Sequence, residues 1–298
     1  MKCNYFYLLT ILSGFFFACQ TQSPLAQLEE QIKTELAKEE GIFAVAFKDL
    51  STGEEILISA RDAFHAASTM KTPVLIELYK QASTGKFSMT DSVLVKNEFK
   101  SIVDGSPYSL STDDDSEGDL YHAIGTKRTI ADLAYDMIIY SSNLATNILI
   151  ELVDAKVVTQ TMRTLGAPDI NVLRGVEDNK AYEQGLSNST TAYDLMVIYE
   201  KLAKGEVVNK AASDAMIATL FDQKFNEIIP AELPEEVKVA HKTGVITGVH
   251  HDSGIVFLPD GRKYVLVLLS RELGDFEEGT KKLAHVSKMI YDYVVMKK

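Results

Sequence analysis

The sequence predicts an α/β protein of the α+β kind, with one antiparallel five-stranded sheet flanked by helices and an all-helical lobe beside it. Three observations carry this prediction: two strand-like runs near the start, three near the end, and a long helical block between them. Strands from both ends of a chain pair most economically in one sheet, and the junction with the helical block is where a cleft is expected.

The first residues stand apart from the fold. Lys2 is followed by an apolar stretch over Tyr5–Phe17, too short for a comfortable membrane span but suited to a secretory segment. The stretch ends Phe16-Phe17-Ala18-Cys19 and turns polar at Gln20. A small residue directly before a cysteine here resembles a bacterial lipoprotein signal. That resemblance implies cleavage after Ala18, lipidation of Cys19, and an exported protein anchored to a membrane in the periplasm or at the cell surface. A plain signal peptide and an uncleaved anchor are the alternatives. The division expected is a signal over 1–18, a tether over 19–24 and a catalytic domain over 25–298. Within that domain the sheet lobe comprises 25–67 and 226–298, and the helical lobe 68–225.

From Leu25, apolar residues at Leu25, Leu28, Ile32 and Leu36 recur at helical spacing. Ile42–Phe47 and Glu55–Ala60 read as strands around a turn cluster at Asp49–Gly53. Helical patterning follows over Met70–Ser83, Thr129–Tyr140, Leu144–Val153, Val158–Leu165, Thr191–Ala203 and Lys210–Leu220. Thr190-Thr191 is placed to cap the fifth of these. The acidic, Gly- and Ser-bearing segment Ser101–Thr126 interrupts them and reads as a solvated loop; its carboxylates lack the alternation of a calcium loop. Strands return at Val237–Thr243, Ser253–Leu258 and Lys263–Ser270, the last two joined by an Asp260-Gly261 hairpin. A final helix is predicted from Gly279 to Met296.

Composition narrows the chemistry. The net charge of −12 argues against nucleic acid, which needs a basic footprint. The two cysteines, Cys3 and Cys19, both fall in or beside the leader, so thiolate chemistry and thiolate metal sites are excluded from the domain. His241, His250, His251 and Asp252 lie close in sequence, but neighbouring strand residues point to opposite faces, which disfavours a metal centre. His241 is expected to line the cleft beside Lys242.

Ser68 and Lys71, in Ser68-Thr69-Met70-Lys71, stand at i and i+3 at a helix start, on one face. A serine hydroxyl needs a base, and an enclosed lysine with a lowered pKa is one. The spacing alone is weak evidence. Its context is stronger: Ser141-Ser142-Asn143 lies between two helical segments, and Lys242-Thr243-Gly244 lies on a late strand. In this order the three motifs resemble those of the class A β-lactamases and their penicillin-binding relatives.

That resemblance covers about residues 25–298 and implies a β-lactamase/transpeptidase-like fold, no cofactor, no metal and a monomer. It implies that Ser68 is acylated, that Lys71 accepts or relays its proton, and that Ser141 passes a proton to the leaving nitrogen. Asn143 would bind the substrate's side-chain amide. Lys242, Thr243 and Gly244 would hold its carboxylate. The Ser68 N–H and one from the strand after Gly244, at Thr247, would form the oxyanion hole. Two departures appear. Ser142 stands where Asp is usual. The deacylation loop reads Arg174-Gly175-Val176-Glu177-Asp178-Asn179-Lys180, with two residues between Arg and Glu instead of one, and Asn188 replaces the loop arginine's usual Asp partner. Glu177 is the expected water-activating base, ahead of Asp178 and Glu183; a solvated loop acid is the alternative. The function implied is β-lactam hydrolysis. A serine peptidase or esterase acting on cell-wall peptide, or a penicillin-binding sensor without turnover, are its rivals.

Overall fold

The structure, a computed structural model, describes residues 1–2 and 23–297. Cys19 and nearly all of the leader lie outside the described residues. Helix α1 spans Pro24–Leu36; Ser23 caps it by accepting from Ala26 N, and Pro24 opens it where a missing N–H is harmless. The remaining helices are α2 Lys71–Ser83, α3 Ile130–Ile139, α4 Asn143–Val153, α5 Ala155–Thr164, α6 Asn179–Glu183, α7 Ala192–Ala203, α8 Lys210–Phe221 and α9 Phe276–Met296. Thr191 caps α7 as its sequence position predicts, accepting from Asp194 N at 3.1 Å.

The main sheet has five strands: β1 Ile42–Asp49, β2 Glu55–Ile58, β3 Lys238–Ile246, β4 Val249–Phe257 and β5 Lys263–Arg271. Their order is β2-β1-β5-β4-β3, with each pair antiparallel. Gly261 takes the left-handed conformation the last hairpin requires (φ +89), and Leu258 N donates to Arg262 O at 2.9 Å. Side chains alternate across the sheet, so two cores form. Ala44, Ala46, Val265 and Val267 face the helical block, whereas Val45, Phe47, Leu266 and Leu268 join α1 and α9 residues on the other face.

Several boundaries differ from the sequence prediction: β3 runs on to Ile246, three residues past Thr243, and β4 begins at Val249, four residues before Ser253. α9 begins three residues before Gly279, because Asp275 caps it by accepting from Glu278 N. Gly279 is there for clearance: a Cβ would lie 2.8 Å from Leu273 Cδ2. α5 starts at Ala155, directly after α4, since Asp154 adopts φ 70 and accepts from Lys156 N. The 101–126 segment is also more than a solvated loop. It pairs Pro107–Tyr108 with Phe99–Lys100, forms two 3-10 turns, and buries Ser101, Leu110 and Leu120.

Candidate active site

Ser68 is presented by a tight backbone. The short strand Phe64–His65 pairs with Ser189–Thr190, and Ala67 then takes a left-handed turn (φ 43) into a 3-10 turn over Ala67–Met70. Ser68 sits in that turn, one step before α2, and lines a cleft of about 600 Å³. Lys71, the first residue of α2, is fully buried. Its ammonium donates to Ser141 O (2.6 Å), Ser141 Oγ (3.1 Å) and Asn143 Oδ1 (2.9 Å). Burial pulls its pKa down to about 7, against the attraction of Asp115 and Glu177.

Ser141 turns the chain between α3 and α4 with φ 58. Lys242, from β3, is also fully buried and donates to Ser141 Oγ at 3.1 Å and to Thr243 O at 2.9 Å. Burial and the neighbouring charge of Lys71 hold Lys242 well below its usual pKa, with Asp252 opposing. One hydroxyl thus accepts from two amines, leaving its own proton available to a third group.

Glu177 lies in the cleft, half-buried, with Asn143 Nδ2 donating to its Oε1 at 2.9 Å. Burial first, and then Asp114 and Asp115, raise its pKa above the usual carboxylate value. Its backbone is strained (φ 60), as expected where the loop carries an extra residue between Arg174 and Glu177. Asp178 and Glu183 do not line the cleft. Asp178 is buried, caps α6, and ties the loop to Ser101 Oγ (2.8 Å) and Ile102 N (2.9 Å). Glu183 is exposed. Asn188 does not meet the Arg174 guanidinium; it bridges backbone instead, accepting from Leu173 N (2.8 Å) and Arg174 N (3.2 Å) and donating to Arg174 O (3.0 Å). The guanidinium donates to Leu186 O and Gly175 O.

The sheet supplies the opposite wall. β3 is an edge strand, and Gly244 packs so closely that a Cβ would lie 3.0 Å from Ser68 N. Thr243 turns its carbonyl toward Lys242 Nζ, away from β4. Backbone direction alternates along a strand, so Val245 N–H faces the same side. Val245 and Thr247 both line the cleft, Val245 from within the strand and Thr247 from the turn just past its end. Thr243 itself is buried. His241 does not line the cleft: it faces the other side of the sheet, with Nδ1 2.8 Å from Asp252 Oδ1 and Nε2 3.2 Å from Asn226 Oδ1. His250 stacks on Phe276, and His251 Nε2 is 2.9 Å from His65 O. Among the described residues no group of three or more His, Cys, Asp or Glu side chains could hold a metal ion.

Two residues of the site escape sequence reading. Asn147, buried on α4, clamps the Arg174–Lys180 loop by accepting from Val176 N (2.7 Å) and donating to Val176 O (3.1 Å). Its spacing of i+4 from Asn143 was the available signal. Asp115, from the acidic loop, receives the backbone N–H groups of Asn143 and Leu144. Nothing in its sequence position points to that.

The model of the beta-lactamase enzyme family matches residues 27–294. The extended-spectrum beta-lactamase PER-1 of Pseudomonas aeruginosa is 22% identical over 302 residues, covering 97% of this chain and 94% of that protein. A beta-lactamase structure from Sphaerobacter thermophilus superposes with a TM-score of 0.77 at 24% identity, covering 92% of this chain and 98% of that one. A PBP-A variant, solved as its acyl-enzyme with penicillin G, superposes with a TM-score of 0.78 at 23% identity, covering 91% and 97%.

Proposed function

Since this chain belongs to the beta-lactamase enzyme family and has its β-lactamase/transpeptidase-like fold, we propose that it opens β-lactam rings through an acyl-enzyme on Ser68 and then hydrolyses that ester. The observation that carries this reading is the Ser141 hydroxyl, 3.1 Å from both Lys71 Nζ and Lys242 Nζ in the cleft that holds Ser68 and Glu177.

In acylation, neutral Lys71 takes the Ser68 proton and Oγ bonds to the lactam carbonyl carbon. The oxyanion is held by the N–H groups of Ser68 and Val245; the second donor moves to Val245 because Thr247 lies past the end of the edge strand. As the C–N bond breaks, Ser141 gives its proton to the nitrogen and regains one from the Lys71 ammonium. Lys242 attracts the substrate carboxylate at the Thr243–Gly244 edge, and Asn143 orients the side-chain amide. In deacylation, Glu177 takes a proton from water as its oxygen bonds to the ester carbon; the C–O bond to Ser68 then breaks and Oγ receives that proton back from Glu177, so that serine and carboxylate are both restored.

The test combines a chromogenic cephalosporin with the intact mass of the protein. Turnover by wild type is expected, with no adduct in Ser68→Ala. Glu177→Gln should hold a long-lived adduct, with deacylation roughly 10²–10⁴-fold slower. A permanent adduct on wild type would identify a sensor, and no adduct at all a different acyl substrate such as cell-wall peptide.

We also place the mature protein outside the cytoplasm, lipid-anchored through Cys19 and acting as a monomer. Labelled palmitate should enter the wild-type chain and not Cys19→Ala. Labelling that survives the substitution would remove the anchor assignment.

A further inference from the structure

The second motif carries Ser142 where an acidic residue is usual, yet α4 still begins on a carboxylate. Asp115, 27 residues before Ser142 in the chain, accepts from Asn143 N with both oxygens (2.9 and 2.9 Å) and from Leu144 N (2.9 Å). Tyr121 Oη donates to its Oδ2 (3.0 Å) and Glu117 N to its Oδ1 (3.2 Å). The first N–H groups of a helix have no partner within it and carry positive potential, so a carboxylate is favoured there. Ser142 satisfies only Ala145 N, at 3.3 Å. Asn143 is therefore fixed at its backbone by Asp115, while its side chain spans Lys71 and Glu177.

We propose that Asp115 is a positioning residue for the catalytic centre: the acidic loop delivers the carboxylate that the second motif lacks, fixing Asn143 and, through it, Lys71 and Glu177. This assignment rests on the acylation chemistry proposed above. It also has an electrostatic side. The groups facing Lys71 are Ser141 from the α3–α4 turn, Asn143 from the start of α4, Glu177 from the deacylation loop, Lys242 from β3 and Asp115 from the acidic loop. Asp115 is one of the two carboxylates that favour protonated Lys71. Removing its charge should let Lys71 lose its proton at lower pH.

The experiment measures Ser68 acylation against pH in wild type, Asp115→Asn, Asp113→Asn and the double variant Asp115→Asn/Ser142→Asp. Asp115→Asn is expected to acylate roughly tenfold to a hundredfold more slowly, with the acid limb displaced to lower pH. Asp113→Asn, an exposed neighbour, should leave both unchanged, and Ser142→Asp should restore most of the rate. A defect that lowers only thermal stability, an unmoved acid limb, or an equal displacement in Asp113→Asn would overturn the proposal. Should Asp115→Asn fail to fold alone, a folded double variant without recovered acylation overturns it equally. The Lys71 13Cε titration by NMR in wild type and Asp115→Asn needs no substrate. Coincident midpoints there would reject Asp115 even if no β-lactam acylates Ser68, so the two readings fail separately.

Discussion

In the acylation proposed above, Lys71 would carry the pH dependence. Only its neutral form could accept the Ser68 proton, and burial brings its pKa to about 7. The acylation rate should therefore rise about tenfold per pH unit below that value and level off above it, as stopped-flow acylation across pH 5–9 would show. Lys71→Arg should fold yet lose this acylation, because a guanidinium stays charged. Ser68, Lys71, Ser141 and Lys242 were legible in sequence because three short motifs in a fixed order specify them jointly. Val245 was not. Which backbone amide faces the cleft depends on the hydrogen-bonding side of an edge strand, and side-chain letters do not record that. His241 was misplaced for a related reason: it neighbours Lys242 in sequence and so must face the other side of the sheet.

In the proposed reaction, the Arg174–Asn188 segment is the element on which turnover would depend. It is held from three sides: by Asn147 on α4, by Asp178 reaching Ser101 and Ile102, and by Asn188 bridging its ends. Gly175 is the tightest point, since a Cβ would lie 2.3 Å from Asn147 Oδ1. Gly175→Ala should displace the loop and slow deacylation roughly a hundredfold while acylation persists. Burst-phase kinetics separate the two steps, and a parallel loss of acylation would contradict the expectation. Long amphipathic helices and the Asp260-Gly261 hairpin were readable because local pattern determines them. The α6 turn, five residues long, carries too few residues for a period to show. The 101–126 loop reads as solvated from composition, and the partner of its Asp115 lies 28 residues away.

At the scale of the molecule, the sheet is covered on both faces, and His251 ties it to the segment that presents Ser68. Its Nε2 is 2.9 Å from His65 O, while its Nδ1 accepts from Ser270 N (3.1 Å). Burial lowers its pKa from 6.5 to about 4, so the folded protein keeps the ring neutral where the unfolded chain protonates it. Stability from this group is complete above pH 6.5 and is lost as pH falls toward 4, by about 3 kcal/mol. Urea titrations at pH 7.5 and 4.5 should show this loss in wild type, and a difference smaller by about that amount in His251→Gln. The order of the strands also divides the sheet by how its amides open to solvent. β1 and β5 are interior strands between two cores, so their deuterium uptake should report only whole-protein unfolding. β3 leaves one row of amides facing the cleft, where exchange needs no unfolding. Its isotope uptake should therefore act as an occupancy gauge, slowing at Val245 when an acyl group fills the cleft and recovering as the ester is cleared.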